Sequence, residues 1–273
     1  MIRCDKIDRL LEAEYGEHAV SYKKFNAFLT LLTLRNGKVM LCKESQHARI
    51  EGQMITYLSK YIRCAELYYF DDDLLLMEYI DDRSRIDEEE AARDLAQMHL
   101  REFDYFGFEY DTTIGPYLQS NTPSKSWIDF FTNQRVMQMA SACYQEGKIE
   151  SSLLNRIERF SDKFGNYLRE PPHASLLHGD LWSGNVLSKE GKAVYIDPAV
   201  YYGHYEMELA FIALFHTFSE EFFQAYHESL PIDGDFFTTR KDILNLYPLL
   251  VHVRSFGHSY RTQVEAIVSR FGY

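Results

Sequence analysis

The spacing of apolar residues changes several times over the first 80 positions of the chain. A short helical pattern ends at Gly16, a residue type that often terminates helices. Two apolar runs of β type follow at 28–34 and 39–44, and the Asn-Gly pair between them is a strong hairpin signal. Residues 50–62 repeat apolar side chains at steps of three and four, as in an amphipathic helix. The apolar runs within 65–80 predict a second hairpin around an acidic turn.

Helical spacing dominates the rest of the chain. Asp87 followed by Glu90 is typical of a helix start. Helical patterns recur through residues 127–144 and 153–168, and again from Glu206 onward. One interruption, LLHGDLWSGNVLS with the later AVYIDP, predicts short strands around a loop. The pattern as a whole predicts an α+β chain.

The composition is that of an ordinary globular protein with one bias. The 273 residues are 46% hydrophobic, which is enough for a substantial core, and the formal net charge is −12. An acidic chain is a poor candidate for binding nucleic acid or an anionic membrane, because both carry negative charge. The four cysteines show no metal-binding or redox pairing, and the first residues lack the pattern of a signal peptide. With no long apolar run, the sequence predicts a cytoplasmic protein that holds its cysteines as thiols and spans no membrane.

The interruption in the helical pattern carries the candidate chemistry. His178 and Gly179 precede Asp180, Asn185 follows five residues later, and Asp197 ends the next apolar strand. Protein kinases have the same step from Asp to Asn, followed by a metal-binding Asp after a strand. Phosphoryl transfer needs a carboxylate beside the attacking hydroxyl, together with oxygen ligands that hold magnesium against the phosphates. The spacing therefore predicts Asp180 as catalytic base, and Asn185 and Asp197 as magnesium ligands.

An upstream set of residues fits the nucleotide half of such a site. Lys43 ends an apolar strand, and Glu51 lies in the following helix, as in the lysine–glutamate pair that holds ATP phosphates. Leu41 shares the face of Lys43 and is expected to line the adenine pocket. Glu78 and Tyr79 lie where a kinase hinge offers backbone hydrogen bonds to adenine. The whole arrangement predicts a two-lobed protein-kinase-like fold, with a small β-rich lobe at 1–80 and a larger helical lobe at 81–273.

Lys43 has a second possible partner in this reading. Glu44 is an acid next to it in sequence and competes with Glu51 for the role of its ion-pair partner.

The segments LLHGDLWSGNV and IDPAVYYGHYEMELA resemble the fructosamine kinase (ketosamine 3-kinase) family, which is similar in fold to aminoglycoside and choline phosphotransferases. Weaker similarity extends over most of the chain. The resemblance implies ATP-dependent, magnesium-assisted phosphorylation of a sugar hydroxyl on a ketoamine, the adduct of a sugar with an amine. Because the 3-phosphate makes the adduct unstable, the family acts in deglycation repair.

Six further side chains beside the predicted loop are expected to contribute to the site. Two are expected to support the loop: His178 by orienting it and Glu208 by hydrogen bonding. Four others are expected to shape the sugar pocket: Trp182, Tyr201, Tyr202 and His204.

The chain departs from the family pattern at the loop that covers the nucleotide. The family has a pair of glycines there, whereas this chain has Val20–Phe25, and its glycines in this part are Gly16, Gly37 and Gly52. Without glycine the backbone approaches phosphates less freely, although the charge of Lys23 or Lys24 is a possible compensation.

Three further departures lie elsewhere in the chain. A loop cysteine found in some relatives is absent. His216 replaces a frequent glycine, and Val251 replaces a common asparagine.

Two alternatives to a ketoamine kinase remain open at this point. One is a phosphotransferase for another small alcohol, such as an aminoglycoside or a choline-like molecule; Trp182 and Ser183 argue against it. The other is a catalytically silent pseudokinase, which the glycine-poor loop favours and the retained polar residues oppose. The sequence leaves open which ketoamine is used, and whether it is free or protein-bound.

Overall fold

The computed structural model describes residues 2–273, with the side chains of residues 2–5 and of His258 outside that description. Cys4, one of the four cysteines expected as thiols, is among these side chains. The other three are free thiols: Cys42, Cys64 and Cys143.

A five-stranded antiparallel sheet forms the first part of the chain, in the order β1-β2-β3-β5-β4. Its strands are β1 Ala19–Lys24, β2 Leu29–Leu34, β3 Val39–Glu44, β4 Leu67–Phe70 and β5 Leu74–Glu78. Both predicted hairpins are confirmed. The prediction that residues 20–25 form a loop over the nucleotide was wrong. Most of that segment is β1, which pairs with β2, and its polar sequence gives no apolar alternation because the strand is largely exposed.

Two helices accompany this sheet. Helix α1 spans Ile2–Tyr15 and ends as predicted, because Gly16 adopts a φ of 64° and donates its N–H to the carbonyl of Glu12. Helix α2 spans Ala48–Leu58, a little shorter than the predicted 50–62. At Gly52 the helix lies directly on Phe70 of β4, where an added Cβ would come within 2.2 Å of the ring.

The remainder of the chain is mainly helical, as predicted. Asp87 caps the first of these helices by accepting a hydrogen bond from the N–H of Glu90 at 2.9 Å. Between α4 and α5, and again before α9, the chain passes through π-helical turns at Phe131–Met137 and Phe236–Arg240. The helices are α3 Glu88–His99, α4 Trp127–Phe130, α5 Gln138–Gln145, α6 Ser151–Ser161, α7 Tyr205–Leu214, α8 Glu220–Ser229, α9 Lys241–Leu244, α10 Leu246–Phe256 and α11 His258–Arg270.

Three short antiparallel strand pairs interrupt the helices. One is the hairpin β6–β7, and another is the hairpin β9–β10. The third pairs β8 with β11 and brackets the predicted catalytic loop. The bounds are β6 Thr112–Ile114, β7 Tyr117–Gln119, β8 Ser175–Leu177, β9 Val186–Lys189, β10 Lys192–Tyr195 and β11 Tyr201–Gly203.

The apolar core reflects the two kinds of secondary structure. A large cluster joins the helices after residue 80 with the inner face of α2. Two smaller clusters lie on the two faces of the five-stranded sheet, around Leu32 and around Leu75. The predicted α+β class is confirmed. Over the described residues, no helix combines the length and apolar character needed to cross a membrane.

Candidate active site

Lys43 connects the two parts of the structure. Its Nζ lies 2.8 Å from Oε2 of Glu51 on α2 and 2.9 Å from Oδ1 of Asp197 after β10. Burial alone would lower the pKa of Lys43, but the charges of Asp197 and Glu51 raise it above its ordinary value. The ammonium group is therefore charged and held at a defined point between the sheet and the helical part.

Glu51 is the acid that pairs with Lys43, which answers the question raised by Glu44. A further residue, which sequence reasoning missed, orients it. Ser45 Oγ donates to Oε1 of Glu51 at 2.5 Å and also accepts the N–H of His47 at 3.1 Å. Its position just before a predicted helix was the available signal.

The backbone after β8 takes a sharp turn that only glycine accommodates. Gly179 has a φ of 84°, and a Cβ at this position would lie 2.1 Å from the carbonyl oxygen of Ala199. His178 bonds to the other side of the loop, because its Nε2 lies 3.0 Å from the carbonyl oxygen of Ile196. Its carbonyl accepts the N–H of Ala199 at 2.7 Å. These contacts hold the segments that carry Asp180 and Asp197 side by side.

Glu208 supports this turn from beneath. Its carboxylate accepts the backbone N–H groups of His178 at 3.0 Å and of Gly179 at 2.7 Å. Burial would raise the pKa of Glu208, but the hydrogen bond from His99 and the nearby His178 hold it below its ordinary value. A buried acid on α7 therefore satisfies two backbone donors in the loop.

His99 is a second residue that sequence reasoning missed. Its Nε2 lies 3.0 Å from Glu208, and its Nδ1 lies 2.6 Å from the hydroxyl of Tyr226 on α8. All three side chains are buried. The signal was a histidine on the apolar face of α3, where a polar group needs a partner.

Asp180 and Asn185 contact each other directly. Nδ2 of Asn185 donates to Oδ2 of Asp180 at 3.0 Å and to its backbone carbonyl at 2.8 Å. Burial raises the pKa of Asp180 to about 7; the hydrogen bond from Asn185 opposes this shift, and the charge of Asp197 adds to it. The carboxyl group is thus poised near neutrality, the range suited to a general base.

Asp197 has an unusual backbone conformation. Its φ is 51°, in the left-handed region, which Asp tolerates better than most residues. This conformation turns the chain sharply after β10, and the carboxylate then reaches Lys43 across the cavity. Backbone strain of this kind often accompanies function.

The donor set fits magnesium. The hydrogen bonds of Asn185 given above use Nδ2, and Asp197 engages Lys43 through Oδ1. Asn185 therefore brings an amide oxygen to the cavity wall, and Asp197 brings a carboxylate oxygen to the same wall. Mg²⁺ prefers oxygen ligands of these kinds.

A cavity of about 810 Å³ opens over these groups. Its wall combines the predicted polar residues with the β1–β2 turn, the segment between β3 and α2, and the turn of the β6–β7 hairpin. The lining residues are Phe28, Lys43, Glu44, Ser45, Gln46, His47, Glu51, Asp73, Thr113, Gly115, Pro116, Asp180, Trp182, Asn185, Asp197 and Pro198.

Trp182 is the one expected sugar-pocket residue in this wall. Its side chain is 37% exposed, and its ring lies so close to Gly184 that a Cβ there would come within 2.4 Å of it. The ring centroid also lies 6.1 Å from that of Phe215. Trp182 thus adds an aromatic ring to the wall that includes Asp180.

The other three expected pocket residues lie away from the cavity, so that expectation is corrected. Tyr201 is buried, and the guanidinium carbon of Arg135 lies 4.1 Å from the centroid of the tyrosine ring. Tyr202 is buried, with its hydroxyl 2.6 Å from that of Tyr57. His204 caps α7 by accepting the N–H of Glu206 at 3.1 Å, and burial lowers its pKa to about 4. Pairing of β11 with β8 directs this segment into the core.

The residues expected around adenine lie beside the cavity rather than in its wall. Leu41 is half-buried and packs against the cluster between the sheet and α2. The N–H of Glu78 is engaged by the carbonyl of Glu66 at 2.8 Å, and its carboxylate pairs with Lys189 at 2.5 Å. An adenine contact through that N–H is therefore excluded in this conformation. Tyr79 stacks on Phe25, with centroids 6.1 Å apart.

Comparisons with known proteins agree with this geometry. The family model for fructosamine kinase matches residues 47–271. A protein of Enterococcus faecium named "Probable ketoamine kinase" is 32% identical over 231 residues, covering 82% of this chain and 82% of that protein. A chloroplastic protein-ribulosamine 3-kinase of Arabidopsis thaliana is 36% identical over 204 residues, covering 72% of this chain and 61% of the plant protein.

Solved structures give the same answer for the fold. A crystal structure described as a candidate fructosamine-3-kinase from Thermobifida fusca has a TM-score of 0.87 at 27% identity, covering 97% of this chain and 98% of that one. More distant structures, a choline kinase and an aminoglycoside phosphotransferase, have TM-scores of 0.64 and 0.61 at 15% and 12% identity, and share the fold alone. The predicted kinase-like fold is confirmed, and the chain belongs to the fructosamine kinase family.

Proposed function

We propose that this protein transfers the γ-phosphoryl group of ATP to a sugar hydroxyl group of a ketoamine. The observation that carries the proposal is the bridging position of Lys43 between Glu51 and Asp197, in the same cavity wall as Asp180 and Asn185. A charged lysine beside carboxylate and amide oxygens is the arrangement that phosphoryl transfer from a nucleotide requires. Family membership and the activities named for the relatives support a ketoamine as acceptor.

In this proposal each polar residue has one task. Lys43, held by Glu51, binds the phosphates of ATP. Asp180 accepts the proton of the attacking sugar hydroxyl, and Asn185, which donates to Oδ2 of Asp180, leaves Oδ1 as the oxygen assigned to that proton. Most of the rate enhancement comes from positioning and electrostatics, because the protein forms no covalent bond to the phosphoryl group.

Magnesium is part of the proposal, with Asn185 and Asp197 as the residues that would hold it. When bound, the ion supplies positive charge against the phosphate oxygens. The loop is preorganised for this task, because Glu208 and His178 hold the backbone on both sides of it.

The acceptor is proposed to lie between Trp182 and the turn of the β6–β7 hairpin. The aromatic face of Trp182 suits the apolar face of a sugar. The wall contains more carboxylates than its single lysine, and this negative charge suits the amine of a ketoamine. Choline and aminoglycosides are also cationic, so the charge of the wall does not separate these acceptors.

An acceptor panel tests the proposal. ADP release with ATP and Mg²⁺ is measured with ribulose-lysine, fructose-lysine, an aminoglycoside and choline. Turnover on a ketoamine is expected. Turnover on another alcohol alone would keep the mechanism and change the substrate class. Absence of both turnover and Mg-dependent ATP binding would favour the silent alternative.

The proposed location is the cytoplasm. The free thiols of Cys42, Cys64 and Cys143 support a reducing compartment. The net charge of −12 supports the expectation that nucleic acid is not a partner.

A further inference from the structure

Hydrogen bonds within the turn stabilise the connection between β1 and β2, residues 25–28. Oδ1 of Asn26 accepts the N–H of Phe28 at 2.8 Å and the N–H of Leu29 at 2.9 Å. The N–H groups of Phe25 and Asn26 both donate to the carbonyl of Leu29, at 2.9 and 3.5 Å. All four residues of the turn lie in the described range, and none has a positive φ.

This hydrogen bonding changes what the turn offers to a nucleotide. A glycine-rich loop binds phosphates through backbone N–H groups that point at the ligand. Here the N–H groups of Phe25, Asn26, Phe28 and Leu29 are already engaged within the turn. Backbone binding of phosphate through any of these four groups would therefore require the turn to come apart, which leaves the N–H of Ala27 as the group that can bind without such a change.

The lysine side chains of β1 do not supply the phosphate contacts that a glycine-rich backbone would make. Lys23 and Lys24, the residues considered as compensation, are exposed on β1 and lie outside the cavity wall. Nζ of Lys23 lies 5.7 Å from the ring centroid of Phe25.

The side chain of Phe28 is the part of this turn that lines the cavity. It contributes to the cavity wall together with Lys43, Asp180 and Asp197, and it is 63% exposed. Exposure alone does not distinguish this ring, since Phe256 is 69% exposed, but Phe28 shares a cavity wall with the charged groups of the site. A ligand that fills the cavity would cover the ring and remove apolar surface from water.

Phe25 anchors the same turn to the segment after β5. Its ring stacks on Tyr79, with centroids 6.1 Å apart and an interplanar angle of 25°. The two ends of the turn therefore differ: Phe25 packs on the segment after β5, and Phe28 contributes to the cavity wall.

We propose that Phe28 is a positioning residue that covers the phosphates of bound ATP and excludes water from the transferring group. An aromatic side chain thus performs in this chain what a glycine-rich backbone performs in others. The inference rests on the proposed kinase function. When the cover is lost, a water oxygen attacks the γ-phosphorus in place of the sugar hydroxyl. The bond to the bridging oxygen of ADP breaks, and the products are ADP, inorganic phosphate and a proton.

Two readouts taken in parallel test the proposal: ADP release and formation of phosphorylated ketoamine, at saturating ATP and Mg²⁺. The variants are Phe28→Ala and Phe28→Tyr, which keeps a ring. Phe237→Ala is the matched control, because Phe237 is also exposed, at 45%, and packs on Phe223 outside the cavity wall. Thermal unfolding of each variant verifies that the chain is folded.

For Phe28→Ala we expect product formation to fall about tenfold and ADP released per product to rise at least about threefold. Phe28→Tyr and Phe237→Ala should keep the wild-type ratio. A folded Phe28→Ala protein with an unchanged ratio would overturn the cover and leave the kinase proposal intact. An equal change in Phe237→Ala would also overturn it. If the wild type phosphorylates no acceptor, the kinase proposal fails and the cover fails with it.

Discussion

Two loops meet at the cavity, and they are built in opposite ways. The loop after β8 depends on its backbone: Gly179 lies against the carbonyl of Ala199, and buried Glu208 binds its N–H groups. The β1–β2 turn engages four N–H groups through Asn26 and the carbonyl of Leu29, and it presents a side chain to the cavity. We expect the first loop to tolerate little change in sequence, and the second to tolerate more as long as a residue still covers the ligand.

The difference follows from what each loop has to do. The first must place a carboxylate, an amide and a second carboxylate within reach of one another, which requires a close backbone approach supported by buried partners. The second is proposed only to cover a flexible phosphate chain and exclude water, a task that a side chain can perform. The variants below test this comparison, from the largest expected effect to the smallest.

Gly179→Ala should have the largest effect. A Cβ would clash with the carbonyl of Ala199 and would impose a positive φ on alanine, so we expect a loss of about 2–4 kcal/mol in the free energy of unfolding and loss of turnover. Denaturant unfolding measures the first and ADP release the second. Gly147→Ala is the control, because Gly147 also has a positive φ, 68°, but has open space around it. Equal costs at both positions would contradict the close approach.

Glu51→Gln should weaken the lysine site without affecting the acceptor. Loss of the negative charge 2.8 Å from Nζ of Lys43 leaves the ammonium less well held, and we expect the KM for ATP to rise about tenfold. Initial rates at varied ATP and varied acceptor separate the two effects. Glu89→Gln, which removes an exposed acid paired with Arg93, should change neither. An unchanged KM for ATP in Glu51→Gln would contradict the assigned role.

Gly184→Ala should act on the acceptor alone. The added methyl group would push the ring of Trp182 from its place, and we expect the KM for the ketoamine to rise about threefold to fivefold with the KM for ATP unchanged. Gly234→Ala, at a position with open space, serves as the control. A rise in the KM for ATP instead would place Trp182 in the nucleotide half of the cavity.

His216→Gly should have the smallest effect, and it should stabilise. His216 follows the end of α7 with a φ of 49°. The N–H of Thr217 bonds to the carbonyl of Ile212, and the N–H of His216 bonds to that of Ala213, which together form a Schellman motif. Glycine suits this conformation, so we expect a gain of about 0.5–1 kcal/mol in the free energy of unfolding. Thermal or denaturant unfolding with no gain would show that the histidine makes a compensating contact.

The sequence predicted that the polar residues after β8 would come together, because they are close in the chain. Asp180 and Asn185 are five positions apart, and the β9–β10 hairpin brings Asp197 back to them. The pairing of Lys43 with Glu51 could be predicted for a similar reason, since the end of a strand and the first turn of the next helix are near neighbours in the chain. The helix cap formed by Asp87 and the end of α1 at Gly16 also followed from local rules.

The remaining features depend on contacts between distant parts of the chain. His99 supports the loop through Glu208, 109 positions away, and no local pattern connects them. Tyr201, Tyr202 and His204 follow the catalytic loop in sequence, yet the pairing of β11 with β8 turns them into the core. Strand β1 escaped prediction because an exposed strand has no apolar alternation to detect.

The most direct test of the central claim compares wild type with Asp180→Asn on a ketoamine. Phosphorylated product is measured by mass spectrometry, and Mg-dependent ATP binding is measured by thermal shift on the same samples. We predict nearly unchanged ATP binding and a loss of product by about three orders of magnitude or more, because the variant keeps the cavity and loses the base. Near-normal product formation by Asp180→Asn would contradict the assignment of Asp180 as the catalytic base.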